Sequence, residues 1–161
     1  MNKNIIDLDD KIFIAGANGM AGKAICRALI NKGYGKVNGG EIMKPTRKEL
    51  DFLDSKAVKK WFEINKPSVV IIAAAKVGGI LANSTYPTQF LLDNLKIQNN
   101  LIENSWLSGI KRLLFLGSSC IYPKFANQPI KEESLLTGQL EETNQWYAIS
   151  KISGIKLCEA L

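Results

Sequence analysis

The sequence predicts an open α/β fold, a parallel sheet whose strands alternate with helices covering both faces. Three observations predict it. Short apolar runs, clearest in Val69-Val70-Ile71-Ile72, alternate along the chain with segments of helical periodicity. A glycine turn, Gly16-Ala17-Asn18-Gly19-Met20-Ala21-Gly22, falls between the first such run and the first helix. No repeat, low-complexity tract or linker interrupts the alternation, so one domain is expected over residues 11–161, after a polar N-terminal extension at 1–10.

The elements follow in order. Lys11 to Ala15 is short and apolar enough for a buried strand, and Met20 to Lys32 then repeats as a helix through Ala24, Ile25, Ala28 and Leu29. Gly39 to Met43 is a weakly marked second strand. Asp54 is expected to cap a helix carrying Ala57, Val58, Trp61 and Phe62, which ends before Pro67. Ser68 to Ala75 is the clearest strand, its β-branched centre suiting a position buried on both faces. Pro87 suits a first helical turn and opens a helix to about Leu107. Lys111 to Gly117 is the fourth strand, and Tyr147 to Leu161 the last helix, with Ile149, Ile152, Ile155 and Leu157 available for packing. Four strands are readable where a dinucleotide-binding sheet of the Rossmann type has six, so the fold is expected to stop before its last strands.

Composition excludes several classes. The 161 residues are 46% hydrophobic and 22% charged, ordinary for a globular domain with a core. The formal charge is +6, yet the 21 basic residues form no block and no aromatic-interleaved basic stretch, which argues against nucleic-acid binding. Cys26, Cys120 and Cys158 are odd in number and lack metal or disulfide spacing; a reducing cytoplasm and no metal site are expected. Met1 to Asp10 has no apolar signal region, and no run is long enough for a membrane helix.

The glycine turn has a physical use. Gly16 permits the tight turn, Gly19 lets the backbone approach a pyrophosphate, and Gly22 lets the helix pack close to the sheet. The alternative is a glycine turn with no ligand. After the second strand, where an NAD site usually carries an acid, the chain reads Lys44-Pro45-Thr46-Arg47. That favours NADP(H), with the planar fork of Arg47 gripping a 2′-phosphate; the competing reading is a solvent-exposed basic loop. Asp54 could reach an adenine edge, but capping is the expected role.

Ligands of open α/β sheets bind outside the carboxyl ends of the strands, and the fourth strand ends in Gly117-Ser118-Ser119-Cys120-Ile121-Tyr122-Pro123. A Ser there can hydrogen-bond a substrate carbonyl. Tyr147 and Lys151 lie one helical turn apart, so an ammonium can acidify the phenol that donates a proton as hydride arrives, and can also hold the nicotinamide ribose. Cys120 is either a group facing the cleft or a small buried apolar residue.

Four segments together carry a resemblance: Gly16 to Gly22, Ala73-Ala74-Ala75-Lys76-Val77-Gly78-Gly79-Ile80, Phe115 to Lys124, and Tyr147-Ala148-Ile149-Ser150-Lys151. The chain from Lys11 onward resembles the extended short-chain dehydrogenase/reductases and, within them, the GDP-L-fucose synthases, which epimerise GDP-4-keto-6-deoxy-D-mannose at C3 and C5 and reduce it at C4. The resemblance implies a reductase set of Ser118, Tyr147 and Lys151, with Cys120 as the base beside the ketone. It implies NADP(H) contacts at Gly16, Asn18, Gly19, Met20, Gly22, Arg47, Ala73, Ala74, Ala75, Tyr147 and Lys151, although some members carry a basic residue where Asn18 stands. It further implies a GDP-sugar substrate and a homodimer built on the helices Pro87 to Leu107 and Tyr147 to Leu161, to which Phe90, Leu91, Leu95, Ile102 and Trp106 would contribute. The family's acid partner in epimerisation is a downstream His, and this chain has none. An N-terminal half is therefore expected, stopping before the substrate domain as a truncated gene, a split subunit or a partial record, with a complementing C-terminal chain as the alternative partner to the homodimer. The competing readings are a non-catalytic or partner-dependent dinucleotide-binding fragment and another extended nucleotide-sugar reductase or epimerase.

Overall fold

The computed structural model describes residues 5–161, so the first four residues of the polar extension lie outside the described residues. Two compact units emerge. The first runs to Ala75 and resumes over Ile97–Leu116; the second comprises Lys76–Lys96 and Gly117–Leu161.

The first unit holds the sheet. Strands β1 (Lys11–Ala15), β2 (Glu41–Met43), β3 (Val69–Ile72) and β4 (Arg112–Phe115) are all parallel, in the order β2-β1-β3-β4. Helices α1 (Met20–Asn31) and α2 (Ser55–Asn65) are the crossovers around β2. Side chains alternate along β1, so Ile12 and Ile14 join Val69, Ile71, Ala17 and Cys26 in one core cluster, against which Ile25, Leu29 and Ile42 pack. Phe13, on the opposite face, meets the α2 rings Trp61 and Phe62 with centroids 4.3 and 5.7 Å apart. Complete burial of that Phe stabilises the unit by about 2 to 3 kcal/mol.

Local chemistry sets the ends of α2. The Asp54 carboxylate accepts hydrogen bonds from the Lys56 and Ala57 amides, both at 3.0 Å, confirming the capping role. At the other end Lys66 adopts a left-handed conformation (φ 47°) and its N–H returns to Phe62 O at 2.9 Å before Pro67 prevents continuation. The third strand is shorter than the sequence suggests. Past Ile72 the chain leaves the ladder, with Ala73 N–H still donating to Ala15 O at 2.9 Å. Asp10 is buried, its carboxylate accepting from the Ser68 hydroxyl at 2.8 Å and pairing with Lys111 at 3.2 Å. β4 is a sheet edge on which Leu114 is half exposed.

The second unit contains α3 (Ile80–Thr85), the first half of α4 (Pro87–Leu107), a long loop with 3-10 turns at Ser119–Ile121 and Glu132–Ser134, and α5 (Gln145–Ala160). The bounds of α4 are those the sequence suggests. α3 was not foreseen, because six residues opening on Gly78-Gly79 are too few to show a period. On α5 the buried residues are Ala148, Ser150, Lys151, Ile152 and Gly154, whereas Ile149 is 39% exposed. No helix among the described residues is long and apolar enough to cross a membrane.

Asp54→Ala removes the only side-chain cap of α2 and is expected to cost about 1 kcal/mol, read as a lower urea midpoint with unchanged slope.

Candidate functional site

In the first unit, β1 is the point where the strand order reverses, β2 lying on one side and β3 on the other. The loops leaving β1 and β3 meet there. Gly16 has φ +84°, and a Cβ on it would come within 2.7 Å of Ala74 N and 2.8 Å of Ala73 C, so only glycine allows this approach. A Cβ on Gly22 would overlap the Gly16 carbonyl oxygen, so α1 rests directly on the turn. Gly19 differs: apart from Gly16 O at 3.3 Å its Cβ position is open, and it begins α1 in an extended conformation with no side-chain cap and no acid in the first turn. Asn18, Gly19 and Met20 are all exposed. An uncapped helix start beside an open glycine is a cradle that fits a diphosphate, with the amides that follow Gly19 as donors.

Arg47 is exposed in the turn after β2, and among the described residues no ion pair involves it. The nearby acid, Glu49, is exposed too, but its carboxylate is engaged by its own turn: it accepts from Thr46 N–H at 2.7 Å, which holds it below the usual carboxylate range. The loop therefore presents cations outward. Ala73, Ala74 and Ala75 are half-buried in the loop that touches Gly16.

In the second unit Ser118, Cys120, Tyr147 and Lys151 come together. Ser118 is extended, and the 3-10 turn Ser119–Ile121 then returns Cys120 so that its Sγ lies 3.0 Å from Ser118 Oγ. Tyr147 and Lys151 sit one turn apart on α5, the Lys151 Nζ 5.9 Å from the centroid of the Tyr147 ring. Burial, followed by the charge of Cys120, raises the Tyr147 phenol above its ordinary value, while a hydrogen bond with Ser118 pulls it down. Lys151 is only 3% exposed, and burial brings it down to about 8, offset in part by Cys120.

One neighbouring feature escaped the sequence reading. Asn94 of α4, buried, accepts from Lys76 N–H at 2.7 Å and donates to Lys76 O at 3.0 Å and Phe90 O at 2.7 Å, while Asp93 pairs with the Lys76 ammonium at 2.7 Å. Asn83 of α3 likewise donates to Gly78 O and Gly79 O, at 2.9 and 3.1 Å. The Lys76–Gly79 loop is thus fixed by buried amides. A usable signal existed: Asn94 lies four residues after Phe90, on the stripe of α4 that also buries Gln98, Leu101 and Ile102.

A glycine turn at a topological switch point, with a Tyr/Lys helix following the last strand, defines a nucleotide-binding α/β protein of the reductase and epimerase class. The NAD dependent epimerase/dehydratase family matches residues 12–161, and the chain belongs to that family. It is 54% identical to the GDP-L-fucose synthase of Sinorhizobium fredii over 95% of this chain and 47% of that protein. To the GDP-L-fucose synthase of Escherichia coli it is 51% identical, over 93% of this chain and 45% of that one. Among solved structures it resembles MlghC, the GDP-mannoheptose C4 reductase of Campylobacter jejuni with NADP bound, at 39% identity and a TM-score of 0.89, covering 96% of this chain and 48% of that chain. The chain spans about half the length of the relatives it matches.

The depressed Lys151 predicts a pH signature. The folded state binds this proton less tightly than the unfolded chain, so its contribution to stability rises with pH between about 8 and the ordinary Lys value, and the full cost is present at pH 7. Lys151→Met is expected to raise the unfolding free energy at pH 7 by up to about 3 kcal/mol, and the advantage should shrink toward pH 10. Urea denaturation at the two pH values reads both.

Proposed function

We propose that this chain is the cofactor-binding and proton-transferring part of an NADPH-dependent epimerase/reductase like the GDP-L-fucose synthases, converting GDP-4-keto-6-deoxy-D-mannose to GDP-L-fucose. The observation that carries the reading is a thiol built into a reductase cluster, Cys120 Sγ lying 3.0 Å from Ser118 Oγ beside Tyr147 and Lys151. Reduction alone does not need that thiol. The half-length identity of 51 to 54% to proteins named GDP-L-fucose synthase supports the same reading.

The chemistry follows from the groups. A C4 ketone acidifies the C–H bonds at C3 and C5, and Cys120 is the proposed base that removes those protons. Ser118 and Tyr147 donate hydrogen bonds to the carbonyl oxygen as negative charge develops on it. NADPH, when bound, supplies the hydride for C4. Tyr147 then gives its proton to the new alkoxide, and Lys151 positions the ribose and balances the phenolate charge. Gly16, Asn18, Gly19, Met20 and Gly22 would hold the pyrophosphate, Ala73 to Ala75 would lie along the dinucleotide, and Arg47 would take the 2′-phosphate.

The epimerisation acid is absent from these residues, which include no His, and the reading assigns it to a complementing segment or chain. A homodimer is also part of the reading, on part of the set the sequence suggested: Leu91, Leu95 and the exposed Trp106. Phe90 and Ile102 are core, whereas Leu91, Leu92 and Leu95 line an apolar groove of about 320 Å³ with Pro87, Thr88 and Trp146. Three free thiols suit a cytoplasmic setting. A reductase of another GDP-sugar is the second reading, favoured by the likeness to the mannoheptose C4 reductase; absence of solvent-proton exchange beside the ketone would select it.

NADPH is expected to bind more tightly than NADH in calorimetric titrations, and Arg47→Ala to weaken NADPH alone by about 1 to 3 kcal/mol. Equal affinities would remove the cofactor assignment. In a full-length enzyme that carries this segment, Tyr147→Phe should reduce the reduction rate by at least about 100-fold while deuterium still exchanges into C3 and C5; Cys120→Ser should do the reverse.

A further inference from the structure

Arg47 stands in an exposed turn, where a long side chain and its backbone ordinarily keep much of their conformational freedom. This turn is closed on itself. The Thr46 N–H donates to the Glu49 carboxylate at 2.7 Å, and the Thr46 carbonyl oxygen accepts from the amides of Glu49 and Leu50 at 3.0 and 2.9 Å. Leu50, only 3% exposed, anchors the end of the turn in the core. An acid that reaches back to the N–H of a Thr three residues before it is half of a capping box, a device that normally opens a helix. Here a single turn forms instead, and the chain becomes helical only at α2.

The acid sits two residues from Arg47, where it could pair with the guanidinium or repel a phosphate. Among the described residues no ion pair joins the two. The short bond to Thr46 N–H, typical of a charged acceptor, engages the carboxylate within the turn. We propose that Glu49 is a positioning residue for cofactor choice: by closing the turn over residues 46–50 it holds Arg47 where its guanidinium can grip the 2′-phosphate, so that preference for NADPH over NADH depends on an acid. The inference rests on the reading of Arg47 as the 2′-phosphate ligand. In this role Glu49 acts through Arg47, by raising the fraction of molecules whose turn is formed before binding, and the apparent dissociation constant falls as that fraction rises. NADH has no 2′-phosphate and gains nothing from the turn. A bare negative charge at the same place would oppose the phosphate, so the two roles differ in sign.

Calorimetric titration of the 161-residue chain with NADPH and with NADH, at about 0.15 M salt, reads both affinities. Glu49→Ala breaks the bond to Thr46 and is expected to weaken NADPH about three- to tenfold, the effect of one lost cap, while NADH changes by less than about twofold. Glu49→Gln removes the charge but keeps an oxygen that can accept from Thr46 N–H, so the preference for NADPH should be retained. Once Arg47 is Ala, adding Glu49→Ala should leave NADPH affinity where it was, because the effect passes through Arg47. Loss of structure in any variant would weaken both cofactors together, and NADH binding therefore checks folding in each. Stronger NADPH binding in both Glu49→Ala and Glu49→Gln would make the acid a repelling charge and overturn the role; so would a Glu49 effect that survives in Arg47→Ala. Equal affinities of the unchanged chain for the two cofactors would remove the cofactor assignment and this inference together, whereas a preference for NADPH unmoved by Glu49→Ala would remove this inference alone.

Discussion

The close approach of two backbone segments at the carboxyl ends of β1 and β3 governs the first unit. With no side chain at Gly16, the peptide between Ala73 and Ala74 can lie against the turn, and with none at Gly22 the first turn of α1 can sit on the Gly16 carbonyl. Each contact fixes one wall of the cradle. A methyl group at either position would push α1 or the Ala73 to Ala75 loop outward, and backbone atoms have no rotamer through which to yield. The same geometry explains why β3 stops at Ile72 although the apolar run continues: beyond it the chain is committed to the crossing and no longer to the ladder.

The second unit is organised by buried polar groups. Burying an amide costs free energy unless its hydrogen bonds are made, and Asn94 makes three of them. The gain is a loop from Lys76 to Gly79 whose carbonyls are tied back by side chains and whose glycine at 78 leaves no room for a Cβ beside Phe90. Lys151 represents the opposite case. Its burial disfavours the charge it would need in the proposed chemistry, so the site gives up stability to hold an ammonium among groups that lose and regain protons.

What could be read in the sequence tracks how locally each feature is determined. Helix α4 was legible nearly to its ends, because Pro87 suits its first turn and no further Pro or Gly interrupts it before Leu107. The cap at Asp54 and the strand around Val69 to Ile72 were equally plain, since each depends on a few adjacent residues. β2 was weak because only three residues pair, and α3 was invisible because it is shorter than two turns. The Tyr/Lys spacing pointed to the candidate site, but its electrostatics could not be foreseen from spacing. Whether Lys151 faces the Tyr147 hydroxyl or its ring depends on how deeply α5 is buried and on the neighbours that reach it, and the burial of Phe90 and Ile102 depends on partners distant in sequence.

Within the proposed chemistry, Cys120 gives the cluster a built-in order. Negative charge on its sulfur raises both Tyr147 and Lys151, so a thiolate keeps the phenol protonated and the ammonium charged. That is the arrangement in which a base is ready and the reducing acid is held in reserve. Once the sulfur carries a proton, the restraint on Tyr147 is lifted while its hydrogen bond with Ser118 remains, and the phenol becomes the better acid. Two reactions at one ketone can then be kept in sequence by the charge of a single side chain, with no movement of the backbone. The requirement is geometric: Ser118, Cys120 and Tyr147 must stay within hydrogen-bonding reach through both steps, and the short 3-10 turn at Ser119–Ile121 is what keeps Cys120 beside Ser118.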